Sequence, residues 1–174
     1  MRFRSPSPDA TLVAAAHLGE AIDAGGLVLA LLGDLGAGKT LFVKGLAQGL
    51  GLDPASVTSP TFVIASEYRT PTGVRLAHVD LYRLTSDAEL EATGFLDLLA
   101  PGAVVAVEWA DRLPGVLPRD RLELTIRRDP ACADARDFEA VAFGATAAGC
   151  LSRWCAALSG EDARALALEA AAGT

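Results

Sequence analysis

The chain has 174 residues and a mass of 17.9 kDa, the size of one ordinary domain rather than two. Hydrophobic residues make up 51% and charged residues 21%, a composition that supplies a core and excludes a generally disordered chain. The formal net charge of −7 repels a phosphate backbone and argues against autonomous tight binding to nucleic acid.

No apolar run approaches the roughly 20 residues that a membrane span needs. The opening Met1-Arg2-Phe3-Arg4-Ser5-Pro6-Ser7-Pro8 carries arginines but lacks the apolar segment of a secretory signal. Three cysteines, Cys132, Cys150 and Cys155, form no CxxC pair. An odd number of this kind points to a reduced, cytoplasmic protein rather than a disulfide framework. Cys150 and Cys155 lie about 140° apart around a helix axis, which makes a shared metal site a poor reading.

In chain order, residues 9–24 are predicted to form a helix, with Asp9 as N-cap and Leu12, Ala15, Leu18 and Ile22 at helical spacing. Gly25-Gly26 ends it. Leu27 to Leu32 is a continuous apolar run, the pattern of a parallel strand buried on both faces. Gly33 to Thr40 is a glycine-rich turn, and helical periodicity resumes from Leu41 to Leu50 before Gly51 stops it. Residues 61–68 and 74–80 read as strands joined by Thr70-Pro71-Thr72-Gly73. Short helices are predicted over 87–92 and 95–99, and Ala103 to Glu108 is a second buried strand. Arg121 to Arg128 and Phe138 to Phe143 alternate, as strands exposed on one face do. The alanine-rich segments 145–158 and 161–171 are helical by propensity. With no internal repeat and no linker, residues 1–174 read as a single α/β domain that ends in a helical segment over 145–174.

One motif carries chemistry. Gly33-Asp34-Leu35-Gly36-Ala37-Gly38-Lys39-Thr40 matches G-x-x-x-x-G-K-[ST], between a predicted strand and a predicted helix, as the motif requires. In a chain of this composition chance produces such an octet about 0.2% of the time. The glycines let the backbone wrap closely, so that successive N–H groups point at a phosphate. The helix that follows aims the positive end of its dipole at the same place. Lys39 would reach the β- and γ-phosphates and the Thr40 hydroxyl would bind Mg²⁺. Two strand-terminal carboxylates, Glu108 and Asp80, fall where an open α/β sheet lines its ligand crevice. GTPases of the usual kind read guanine with [NT]-K-x-D. The only lysines are Lys39 and Lys44, so that motif is absent and ATP is the expected nucleotide.

Four blocks in this order and spacing closely resemble the TsaE family, the P-loop ATPases of bacterial tRNA threonylcarbamoyladenosine biosynthesis. They are the phosphate loop, Ser59-Pro60-Thr61-Phe62, His78-Val79-Asp80-Leu81-Tyr82-Arg83, and Glu108-Trp109. The resemblance spans roughly residues 9–143. It implies a P-loop NTPase domain with a mixed, mostly parallel sheet flanked by helices and antiparallel strands toward the C-terminus. It also implies ATP hydrolysis with Mg²⁺ as cofactor, and action with the partner proteins TsaB and TsaD, which would hold the tRNA. The threonylcarbamoyl group goes to the adenosine beside the anticodon in tRNAs that read codons beginning with A, and ATP hydrolysis would reset the complex between turnovers.

By the same resemblance Thr40 and Glu108 are the Mg²⁺ ligands, and Lys39, Asp80, Glu108 and Thr61 form the catalytic set. Thr61 would sense the γ-phosphate or the attacking water; read as residues alone, Ser59-Pro60-Thr61 is also an ordinary turn. Gly33 to Thr40 would hold the phosphates, with Asp80 near the γ-phosphate through water, while Thr11, Asp111 and Arg136 fall at adenosine-contacting positions. Tyr82 and Arg83 would serve the partner interface, though Arg83 reads equally as a surface salt bridge; Trp109 follows the metal carboxylate or packs in the core; and His78 is expected as a packed or hydrogen-bonded strand histidine. Two other classes stay open. A small P-loop kinase would need a lid, for which Arg119 and Arg121 are the available loop pair. A nucleotide-dependent binding module would need Lys39 and Thr40 but not Glu108 or Thr61.

Overall fold

The computed structural model describes residues 1–60, 64–159 and 167–169. The elements in chain order are β1 (Arg2–Ser5), α1 (Pro8–Ala21), β2 (Leu27–Leu32), α2 (Lys39–Gly49), β3 (Ala65–Arg69) and β4 (Arg75–Asp80). They continue with α3 (Asp87–Glu91), α4 (Phe95–Leu98), β5 (Val104–Glu108), β6 (Arg121–Arg128), β7 (Arg136–Phe143), α5 (Ala145–Leu158) and β8 (Ala167–Glu169).

The strands form one mixed sheet in the order β3-β4-β5-β2-β6-β7-β1-β8. The middle is parallel, with β4 on β5, β5 on β2 and β2 on β6. These are the apolar runs, which can be covered by helices on both faces. Antiparallel pairs flank them on either side, β3 on β4 at one edge and β6-β7-β1-β8 at the other. The fold is the single α/β domain with a mixed sheet and flanking helices that the sequence implies, and β3–β4 adds an antiparallel hairpin on the N-terminal side as well.

Alternation along the strands sorts side chains to two layers. On one face Leu29, Leu31, Leu76, Leu122, Leu124, Ile126 and Phe138 meet Leu18 of α1, Phe42 and Leu46 of α2 and Trp154 of α5. On the other face Ala30, Ala77, Val79, Val105 and Val107 meet Leu90 of α3 and Phe95 and Leu98 of α4. Aromatic packing closes the first layer: Phe3 stacks on Phe138 at 4.6 Å and meets Trp154 edge-on at 5.5 Å. The Trp154 indole donates to the Ala14 carbonyl at 2.8 Å, which fastens α5 to α1.

Several boundaries differ from the sequence expectation. Ser7, not Asp9, caps α1; its hydroxyl accepts from the Ala10 N–H, and Pro8 takes the first helical position. The four-residue β1 is too short for a period to register, and its partner β7 lies far along the chain. Strand β7 begins at Arg136 rather than Phe138. The helix expected over 161–171 is contradicted at 167–169, where Ala167 to Glu169 pair with β1 as a strand. An exposed strand edge offers unpaired backbone groups, and alanine's helix propensity is too weak to oppose them. The rest of that segment, and residues 61–63 of the strand expected over 61–68, lie outside the described residues.

Helices α1 and α2 cross at backbone contact. A Cβ on Gly49 would sit 2.0 Å from the Ala16 carbonyl oxygen, and one on Gly45 would sit 2.5 Å from that of Leu12. Gly49→Ala gains at most about 1 kcal/mol of helix propensity, against about 1–3 kcal/mol for forcing packed helices apart. With a Cβ only 2.0 Å from a backbone oxygen, the clash should outweigh the gain and lower the urea midpoint; a midpoint raised by the substitution would disprove the close-contact argument. Helix α5 depends on a different device. Its N-cap is Gly144 with no capping side chain, and Asp120 supplies the acceptors instead, from the Ala147 N–H at 2.9 Å and the Thr146 N–H at 3.0 Å. These bonds hold the Asp120 carboxyl below its ordinary value. Its contribution is therefore present above the unfolded pKa near ~4 and fades as pH falls through the lower folded value. Asp120→Ala is expected to cost about 1 kcal/mol at pH 7, and the gap between variant and wild-type urea midpoints should narrow on acidification to about pH 3.

Candidate functional site

The carboxyl ends of β2, β4 and β5 meet at one edge of the sheet, and the glycine-rich loop closes over them. Gly33 leaves β2 at φ 139°, where a Cβ would lie 2.3 Å from the Ile126 carbonyl oxygen on β6. Only glycine lets the loop start so close to the neighbouring strand. Gly38, at φ 111°, is the N-cap of α2 and has no capping side chain. The first N–H groups of that helix are thereby left to an anion.

Lys39 is the first residue of α2 and 4% exposed. Its Nζ donates to the carbonyls of Gly33 at 2.5 Å and Asp34 at 3.0 Å, and sits 3.6 Å from the centroid of the Trp109 ring. Burial pulls the ammonium pKa below its ordinary value, opposed by the charges of Glu108, Asp111, Asp80 and Asp34. Trp109 holds its ring there from a left-handed backbone, φ 59°, directly after β5. Its ring also packs on Tyr82 at 4.9 Å.

Next in the chain, the Thr40 hydroxyl donates to Glu108 Oε1 at 2.7 Å. His78 Nε2 approaches the same oxygen at 2.8 Å, so the expected strand histidine is buried and hydrogen-bonded. Asp80 ends β4 opposite Glu108 in the parallel register, and its Oδ1 accepts from the Tyr82 N–H at 2.8 Å. Residues 35–41, Ser59, Asp80, Glu108 and Trp109 line a cleft of about 270 Å³. Thr40 and Glu108 present a hydroxyl and a carboxylate side by side, the hard oxygen donors that suit Mg²⁺. The donor set fits that ion.

Other expected residues fall elsewhere. Thr11 is buried in the first turn of α1, where its hydroxyl pairs with that of Ser5 at 2.8 Å and donates to the Ser7 carbonyl at 3.2 Å; it does not line the cleft. Arg136 braces the loop: Nε donates to the Ala37 carbonyl at 2.7 Å and Nη2 to that of Gly36 at 3.5 Å. Asp111 lies in the 3₁₀ turn Ala110–Arg112 just beyond β5, close enough for its charge to act on Lys39. Thr61 lies outside the described residues. Arg121 opens β6, at the opposite end of the strands from the loop, and is tied to Glu123 and the Pro118 carbonyl. The Arg119–Arg121 pair is therefore remote from the phosphate loop. Cys150 is buried, its thiol pushed up to about 11, as an inert packed cysteine should be.

Sequence reasoning did not find the bracing role of Arg136 or the indole over Lys39. Both contacts join residues far apart in the chain, and no local pattern announces them.

Known proteins resemble this chain over most of its length. The family model for threonylcarbamoyl adenosine biosynthesis protein TsaE matches residues 5–137. The tRNA threonylcarbamoyladenosine biosynthesis protein TsaE of Bacillus subtilis is 40% identical over 144 residues, 83% of this chain and 87% of its own. Its counterpart in Streptomyces coelicolor is 43% identical over 122 residues, 70% and 80% of the two chains. The crystal structure of Bacillus subtilis YdiB superposes with a TM-score of 0.65 at 34% identity, over 93% of this chain and 95% of that one. With the match running from β1 into β7 and taking in every element that builds the cleft, the chain belongs to the TsaE family of tRNA threonylcarbamoyladenosine biosynthesis proteins.

Proposed function

We propose that the protein is a Mg²⁺-dependent ATPase that serves formation of threonylcarbamoyladenosine beside the tRNA anticodon, acting with TsaB and TsaD. The observation that carries this is the joined pair at the mouth of the phosphate loop, Thr40 Oγ1 on Glu108 Oε1 at 2.7 Å, beside Lys39. When bound, the ion would offset charge on the β- and γ-phosphates. The chain's own residues do the rest. The loop N–H groups and the N-terminus of α2 hold the phosphates, Lys39 supplies the cation, and Asp80 faces the γ-phosphate end of the cleft. The acidic balance of the chain fits a division of labour in which the partners hold the tRNA and this subunit resets the complex between turnovers, in the cytoplasm.

A γ-phosphate kinase finds less support, because the arginines it would need, Arg119 and Arg121, lie at or just before the start of β6, away from the loop. An acceptor-free assay separates the two, since a kinase consumes ATP only with its acceptor.

The deciding experiment measures ATP hydrolysis by the purified chain alone and with TsaB and TsaD. Hydrolysis that rises on adding the partners supports the proposal; a rate that the partners leave unchanged overturns it. Lys39→Ala should abolish nucleotide binding or the partner-stimulated rate. Glu108→Ala should lower Mg²⁺-dependent turnover on the order of 10²-fold while nucleotide affinity changes less. Normal turnover in that variant would remove Glu108 from the metal role.

A further inference from the structure

His78 lies on β4, two residues before Asp80 on the same face of the sheet, and its side chain is fully buried. Its single hydrogen bond among the described residues goes from Nε2 to Glu108 Oε1, the oxygen that also accepts from Thr40. Facing a carboxylate oxygen, Nε2 is the donor of that bond. Nδ1 is left buried with no partner among the described residues. Stability alone gives no reason for that arrangement: an unpaired buried ring nitrogen costs free energy that an apolar side chain of similar size avoids.

Orientation of the carboxylate gives a reason. The terminal torsion of a glutamate is intrinsically broad, and a hydroxyl donor from α2 alone leaves the group free to swing. A second donor from β4 on the same oxygen removes that freedom. We propose that His78 is a positioning residue of the metal site, clamping Glu108 Oε1 together with Thr40 and leaving Oε2 for the divalent ion or a water bound to it. Partners of this kind, one step behind a metal ligand, set its orientation and commonly govern metal affinity. The inference rests on the reading of Glu108 as a metal carboxylate. His78 itself touches neither nucleotide nor ion.

The test uses Mn²⁺ as probe, its binding read from the loss of the free-ion electron paramagnetic resonance signal on adding the full-length chain with saturating ADP. ADP affinity in EDTA is a second readout that does not involve metal. His78→Leu is expected to weaken Mn²⁺ binding about 10-fold or more, with ADP affinity in EDTA unchanged. His78→Gln, whose amide N–H reaches about as far as Nε2, should restore most of the affinity; His78→Asn, one carbon shorter, should not. If the leucine variant does not fold, the Gln and Asn pair decides. Wild-type Mn²⁺ binding in His78→Leu, or equal binding by the Gln and Asn variants, overturns the positioning role. So does a loss of ADP affinity in EDTA as large as the loss of Mn²⁺ affinity. Glu108→Gln tells the two ideas apart. If it binds Mn²⁺ as tightly as wild type, the metal reading of Glu108 fails and His78 falls with it. If it weakens binding while His78→Leu does not, only the positioning role fails.

Discussion

One buried oxygen, Oε1 of Glu108, ties the cleft together. It accepts from Thr40 at the start of α2 and from His78 on β4, while the backbone carbonyl of the same residue accepts from the Leu81 N–H at 3.1 Å. Three elements converge there, so a shift of any one of them breaks a bond to this oxygen. The parallel register makes this convergence available. Pairing of β4, β5 and β2 brings Asp80, Glu108 and Leu31 to the same level, so the carboxyl ends of all three strands open on the phosphate loop.

The loop in turn depends on close backbone approach at both ends. At its start, Gly33 passes against β6 where a side chain has no room. Beyond its end, α2 lies against α1 with Gly45 and Gly49 in backbone contact. Arg136 bonds to the carbonyls of Ala37 and Gly36 from outside, and within the loop the Ala37 N–H donates to the Asp34 carbonyl at 3.1 Å. The loop backbone is thus held from behind by a cation that takes up its carbonyls.

Much of this was legible in the residues. The apolar runs at 27–32 and 103–107 read as buried strands, and the octet between Gly33 and Thr40 announces the loop because glycine, lysine and threonine must stand at fixed offsets. The alternation in 121–128 reports a half-exposed strand for the same reason that a sheet has two faces. The edge strands left no such trace. Residues 2–5 are too few for a period, and residues 167–169 sit in an alanine-rich stretch whose local preference is helical. Their strand identity comes from pairing with each other and with β7, which a local reading cannot weigh. Thr11 shows the same limit at a side chain, since only the turn of β1 into α1 sets its hydroxyl against Ser5.

By itself, the sequence determined the phosphate loop, the buried parallel strands on either side of it and the carboxylates at their ends, because each of these is a short-range pattern dictated by backbone geometry and burial. Only the tertiary structure decided which groups meet: the indole of Trp109 over Lys39, Arg136 behind the loop, Asp120 at the head of α5, and the imidazole of His78 on the carboxylate of Glu108. These contacts join residues distant in the chain, and they exist because strand order and helix packing bring those residues together, which no local preference encodes.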